Sequence, residues 1–173
     1  MRRSSCLVWV LAGLLTACSP SVEVYDLTCE GLAEPLAIDS AQPHFSWKIA
    51  SKSPTAQTAY QIQVAPAPDA FRKDLCWDSG RVVSDDQVMV PYSGAPLVSR
   101  QQLLWRIRVW DATGKASRWS APQRFGIGPI GEDALKGEYI GAVPGEGRSP
   151  LLRKHFDLPK KPASALLYVN SLG

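Results

Sequence analysis

Along most of this chain apolar and polar side chains alternate, and the runs are short. Phe45, Trp47 and Ile49 interleave with Ser46 and Lys48. Tyr60, Ile62 and Val64 interleave with Gln61 and Gln63, and Trp105, Ile107 and Val109 with Arg106, Arg108 and Trp110. A period of two is the mark of a half-buried strand, because successive strand side chains point to opposite faces. Residues 22–29, 75–77 with 82–83, 88–90 and 119–127 add further strand-like runs, each bounded by proline, glycine or an Asp-rich turn such as Asp78-Ser79-Gly80. About seven strands at this spacing, with no convincing amphipathic helix, predict an all-β sandwich. Its inward set is Phe45, Trp47, Tyr60, Ile62, Val64, Val88, Val90, Trp105, Ile107, Val109 and Phe125.

Two regions stand apart from that pattern. Residues 126–131, with Pro129, read as a linker, so the sandwich is expected over 22–128 and the linker over 129–137. Residues 138–173 hold two or three further strand-like runs, too few to shield an apolar face in water. They read as the incomplete start of a second β-sandwich.

At the other end, Arg2 and Arg3 precede a nine-residue apolar run, 7–15, in the arrangement of a secretory signal. The run is too short for a membrane span, which needs roughly 20 apolar residues. It closes on Leu15-Thr16-Ala17-Cys18, which resembles the lipobox of bacterial lipoproteins. That resemblance implies a signal peptide over 1–17, lipidation of Cys18 and a short tether over 18–21. Ser19 after the cysteine implies the outer membrane. An ordinary signal peptide with a chance cysteine is the alternative.

Composition narrows the chemistry. The net charge of +3 drops to +1 once Arg2 and Arg3 leave with the signal, and no basic cluster suggests nucleic acid. Of four cysteines, only Cys29 and Cys76 would remain as thiols. An exported location permits a bridge between them; two buried free thiols in apolar runs are the other reading. His44 and His155 lack partners at metal-ligand spacing, so no metal or cofactor is expected. Asp85-Asp86 and Glu132-Asp133 are adjacent pairs, whose side chains diverge on a strand, so neither makes a catalytic dyad. The remaining candidate is a surface ladder of Arg106, Arg108, Trp110 and Trp119. Residues two apart share a face, and guanidinium groups stack on indoles. As a brace it stabilises the sheet; as a platform it would offer indole faces to a sugar.

Several ordered motifs point to a family. Leu27-Thr28-Cys29-Glu30, Pro35-Leu36-Ala37-Ile38-Asp39, Pro43-His44-Phe45-Ser46-Trp47, Trp77-Asp78-Ser79-Gly80-Arg81 and Ser117-Arg118-Trp119-Ser120 together resemble the opening of bacterial α-L-rhamnosidases. The resemblance implies a fibronectin type III-like (immunoglobulin-like) seven-stranded sandwich followed by the truncated start of a jelly-roll-like one. One departure is Ala134, Leu135 and Tyr139, where the family tends to place tryptophans. It also implies that the acid and base carboxylates sit on a downstream helical barrel, so no catalytic residue is expected here. Two functions follow. One is the non-catalytic N-terminal part of a membrane-anchored α-L-rhamnosidase, whose partners are the lipid bilayer, its own catalytic domain and a rhamnose-containing glycan. The other is a stand-alone lipoprotein module that binds a glycan or a protein.

Overall fold

A computed structural model describes residues 22–52, 54–131, 138, 140–141, 153–162 and 164–169. Seven strands form two antiparallel sheets: β1 (Val22–Cys29), β2 (His44–Ser51), β3 (Gln57–Ala65), β4 (Trp77–Asp78), β5 (Val90–Pro91), β6 (Gln102–Asp111) and β7 (Gln123–Gly126). The strand orders are β1-β2-β5 and β4-β3-β6-β7. The expected signal peptide, Cys18 and tether lie outside the described residues.

The alternation is obeyed most fully on β6. Leu103, Trp105, Ile107, Val109 and Asp111 are buried, and the residues between them are not. Trp105 stacks on Phe45 of the opposite sheet with ring centroids 4.4 Å apart, and Phe125 meets Phe45 edge-on at 5.6 Å. These three rings have no solvent exposure and lock the sheets together; aromatic side chains bury roughly 150–250 Å² each. Polar groups drawn into this interior are satisfied. The Trp47 indole N–H donates to Gln57 Oε1 at 3.0 Å, and Gln57 Nε2 donates to the carbonyls of Ser84 and Asp86. Gln57 thus ties the loop after β4 onto the core.

Four expectations are corrected. Val88 is 73% exposed rather than inward. Met89 takes a left-handed φ of 53° and donates its N–H to Ser46 Oγ, which breaks the alternation between Val88 and Val90. Only Val90 enters the ladder, opposite Phe45. Second, Cys76 is exposed and Cys29 buried, and both are free thiols, so the pair is neither a bridge nor two core residues. They lie beside different sheets: Cys29 ends β1, while the Cys76 N–H donates to the Val64 carbonyl on β3.

Third, the chain does not leave the sandwich at Gly126. Ile127 is fully buried, and its N–H donates to Gln101. The 35–38 segment crosses to this edge, where Gly126 N–H donates to Pro35, Ile38 N–H to Gly126, and Gly128 N–H to Ile38. Glycine is required at 126 because a Cβ there would overlap the Leu36 carbonyl oxygen and the Gln102 amide. Ile130 still packs on the core, and its N–H donates to Ser99 Oγ. Fourth, residues 153–162 and 164–169 carry no strand. Phe156, Leu158, Leu167 and Val169 are exposed there, as expected of strand-like sequence without a ladder partner. Residues 138 and 140–141 of the expected second unit carry no strand either, and its remaining positions lie outside the described residues.

Candidate functional site

The outward face of the four-stranded sheet carries the densest arrangement of charged and aromatic groups. Register builds it. On β3 and β6, Gln61 pairs with Arg108 and Gln63 with Arg106, so the two Gln–Arg pairs stand side by side. Each arginine donates through Nε and Nη2 to the amide oxygen opposite: Arg106 to Gln63 Oε1 at 2.9 and 2.7 Å, Arg108 to Gln61 Oε1 at 3.0 and 2.7 Å. Both glutamines then donate to Asp78 on β4, Gln61 Nε2 to Oδ1 at 2.6 Å and Gln63 Nε2 to Oδ2 at 2.7 Å. Gly80 N–H adds a third donor to Oδ1. One carboxylate therefore orders two amides, and each amide orders one guanidinium.

The rings complete the array. Trp119 lies 4.5 Å from the Arg106 guanidinium carbon and 4.7 Å from that of Arg108. One ring is thus shared by two guanidiniums. Arg108 also stacks on Trp110 at 4.9 Å, Arg81 covers Trp110 at 5.2 Å, and Arg106 lies over Phe71 at 4.4 Å. The sequence in space is Phe71, Arg106, Trp119, Arg108, Trp110, Arg81. Cations and rings alternate throughout.

Local sequence explains how Trp119 reaches its slot. Residues 117–120 run beside β6 without a regular ladder. Ser117 N–H and Ser120 N–H donate to the Val109 and Ile107 carbonyls, and the two serine hydroxyls accept from the Val109 and Ile107 N–H groups. Side-chain oxygens thus replace backbone carbonyls at two positions, and the irregular path swings the indole over the arginines. Trp119 also borders an open cleft of about 390 Å³, lined with Val22, Glu23, Val24, Lys52, Arg118 and Ser120.

Electrostatics follow from this packing. Burial works against ionised Asp78, but the donors Gln61, Gln63 and Gly80, with the Arg108 charge, outweigh it and hold its carboxyl below the usual range. Burial, then repulsion from Arg108, pulls the Arg106 guanidinium below its ordinary value. At the opposite sheet, burial and the neighbouring Glu30 charge push the Cys29 thiol up to about 12, which keeps it protonated and unreactive.

The structure brings together all four residues singled out on the surface, Arg106, Arg108, Trp110 and Trp119. It adds Phe71, Arg81, Gln61, Gln63 and Asp78, which sequence reasoning passed over. The Gln-x-Gln spacing on β3 was a usable signal, since it matches Arg-x-Arg on β6. Phe71 and Arg81 come from a 3₁₀ turn (Pro68–Arg72) and a loop, where no periodicity points to a face. The Trp119 ring is engaged by the two guanidiniums of the protein itself.

Acid–base chemistry is equally ill served. Asp78 is engaged by its three donors, and Asp111 is buried, accepting from the Thr113 and Lys115 N–H groups of its own turn. Glu30 Oε1 accepts from the His44 backbone N–H, with His44 Nδ1 3.0 Å away, and Asp26 pairs with Lys48 at 2.7 Å. Among the described residues no cluster of three metal-ligating side chains exists.

Two antiparallel sheets of seven described strands, packed face to face, define an immunoglobulin-like domain. The family model described as "Rha78A-like, N-terminal immunoglobulin domain" matches residues 24–131, and the chain belongs to that family. Its relatives are α-L-rhamnosidases. That of Streptomyces avermitilis is 43% identical over 129 residues, which cover 74% of this chain and 12% of the relative. One from Formosa agariphila is 37% identical over 158 residues, covering 83% and 17%. The crystal structure of the Streptomyces avermitilis enzyme complexed with L-rhamnose matches with a TM-score of 0.67 and 42% identity, over 70% of this chain and 12% of that one. The chain thus spans only 12–17% of the length of these curated relatives.

Proposed function

We propose that this chain is the non-catalytic N-terminal portion of a membrane-anchored α-L-rhamnosidase, serving as scaffold and spacer for a catalytic domain. The family match over 24–131 carries the reading. The engagement of Asp26, Glu30, Asp78 and Asp111 supports it: glycoside hydrolysis needs two carboxyl groups flanking the scissile bond, roughly 5–9.5 Å apart depending on stereochemistry, and these acids serve structure instead. The whole enzyme would remove terminal rhamnose from a glycan. Its anchor would be acyl chains on Cys18, each buried CH₂ worth about 0.8 kcal/mol. With only 18–21 between lipid and β1, the sandwich would stand roughly 10–15 Å from the bilayer, at about 3.3–3.6 Å per residue.

Two measurements test this. Purified full chain should release no rhamnose from a chromogenic rhamnoside, whereas the product of the same gene read in frame beyond residue 173 should do so. Rhamnose release by the 173-residue chain alone, or an unrelated gene directly after it, defeats the scaffold reading. In a bacterial host, radiolabelled palmitate should enter the wild-type chain and not Cys18→Ser; equal labelling of both removes the anchor.

A further inference from the structure

Charge is unevenly distributed over this sandwich. Residues 22–131 hold eleven acidic and eleven basic side chains, yet residues 22–47 contain five acids and no lysine or arginine. Four of the eleven basic side chains, Arg81, Arg106, Arg108 and Arg124, belong to the ladder face. Arg124 on β7 is exposed and pairs with Leu104, and so shares the outward phase of Arg106 and Arg108. The order across the face is then Arg81, Arg108, Arg106, Arg124, with Asp78 the one carboxylate in the hydrogen-bonded array.

The rings hold the arginines in a row. Free arginine side chains would splay apart, since two unit charges 4 Å apart repel by about 1 kcal/mol even in water and about 4 at an effective dielectric constant of 20. Here Trp119 and Trp110 engage them, and Gln61 and Gln63 fix their edges. Arg106 and Arg108 each donate through Nε and Nη2 to a glutamine amide oxygen, and both side chains are only partly buried. Arg81 and Arg124 lie exposed at the two ends.

The geometry points to this face as a binding surface for a linear acidic polysaccharide, whose carboxylate or sulfate groups accept hydrogen bonds from the row of guanidinium edges. The inference deepens the proposed function by naming the kind of glycan held beside the enzyme. A linear array of fixed cations matches a ligand whose charges repeat along a chain, and guanidinium is the natural donor to planar oxyanions. The Trp119 and Trp110 rings are already engaged by guanidiniums, which compete with the nucleobase stacking that single-stranded nucleic acid binding uses. Repulsion between Arg106 and Arg108 is relieved when an anion bridges them.

The test uses the purified full chain, with titration calorimetry at low ionic strength against polygalacturonate, dextran sulfate, neutral dextran and a single-stranded oligonucleotide. Polygalacturonate or dextran sulfate should bind, neutral dextran should not, and added salt should weaken the affinity steeply. Arg81→Glu and Arg124→Glu, both outside the Gln–Asp78 network, should each weaken binding roughly tenfold and together abolish it, with the melting midpoint unchanged for Arg124→Glu and slightly lowered for Arg81→Glu, which loses its contact with Trp110. Unaltered binding by the double variant overturns the proposal. So does absence of acidic-glycan binding, equal binding of neutral dextran, or an oligonucleotide bound as tightly as the acidic glycans. None of these outcomes bears on rhamnose release or palmitate labelling, so the scaffold reading stands or falls separately.

Discussion

Strand β6 presents two chemistries on its two faces. Inward, Trp105 is fully buried against Phe45 and Phe125; outward, Arg106, Arg108 and Trp110 form a half-exposed stack in contact with water. The inner face derives its strength from area removed from water, at about 25 cal/mol per Å². The outer face relies on directed contacts, which water and salt weaken. Residues adjacent in sequence therefore contribute by different physics, and their removal should be felt on different scales.

The largest expected effect comes from the inner face. Trp105→Ala should cost about 3–5 kcal/mol, the range for a large aromatic removed from a packed core, and chemical denaturation followed by fluorescence would measure it. A loss under about 1 kcal/mol would show that the two sheets are not locked through this ring. Next is Asp111→Ala at the end of the same strand. It leaves the Thr113 and Lys115 N–H groups and the Thr113 hydroxyl without their acceptor, at about 1–3 kcal/mol.

The outer face should respond more mildly. Trp119→Ala removes the ring that two guanidiniums share, and cation–π contacts at exposed sites give about 0.5–1 kcal/mol each. A loss of roughly 1–2 kcal/mol that shrinks in high salt is expected, whereas the Trp105→Ala loss should be insensitive to salt. If the two variants share one salt dependence, the distinction between faces fails.

The smallest effect is one of pH. The Asp78 carboxyl is held below its unfolded value, so its stabilising contribution is complete above the unfolded pKa of about 3.9 and disappears as pH falls through the lower folded value. The melting midpoint of the wild type should fall over that acid window, and Asp78→Asn should flatten the fall; identical profiles would separate Asp78 from the ladder's stability. The thiols give a further contrast. Exposed Cys76 should react with a disulfide reagent in the native state, and buried Cys29 only on unfolding.

Much of this was legible beforehand. Ten of the eleven residues expected to point inward are buried, because strict alternation leaves a half-buried strand only one orientation. Val88 failed because a left-handed Met89 is invisible to a periodicity argument. Ile130 falls in the expected linker because glycine and proline around it imitate one; it packs on the core through the bond of its N–H to Ser99 Oγ, which no local pattern announces. The ladder was half legible. Arg106, Arg108 and Trp110 share a strand face by spacing alone, but Arg81 and Phe71 arrive through loops, and Asp78 enters by way of two glutamines.

The alternation of this sequence by itself determined an all-β sandwich, its aromatic interior and the outward phase of two arginines, since a period of two follows from backbone geometry. Its ordered motifs also determined the family. Tertiary structure alone decided that Asp78, Gln61 and Gln63 would bind those arginines into one array and that two guanidiniums would share the Trp119 ring. Those contacts join residues 11 to 47 positions apart, and only strand register and loop path bring such positions together.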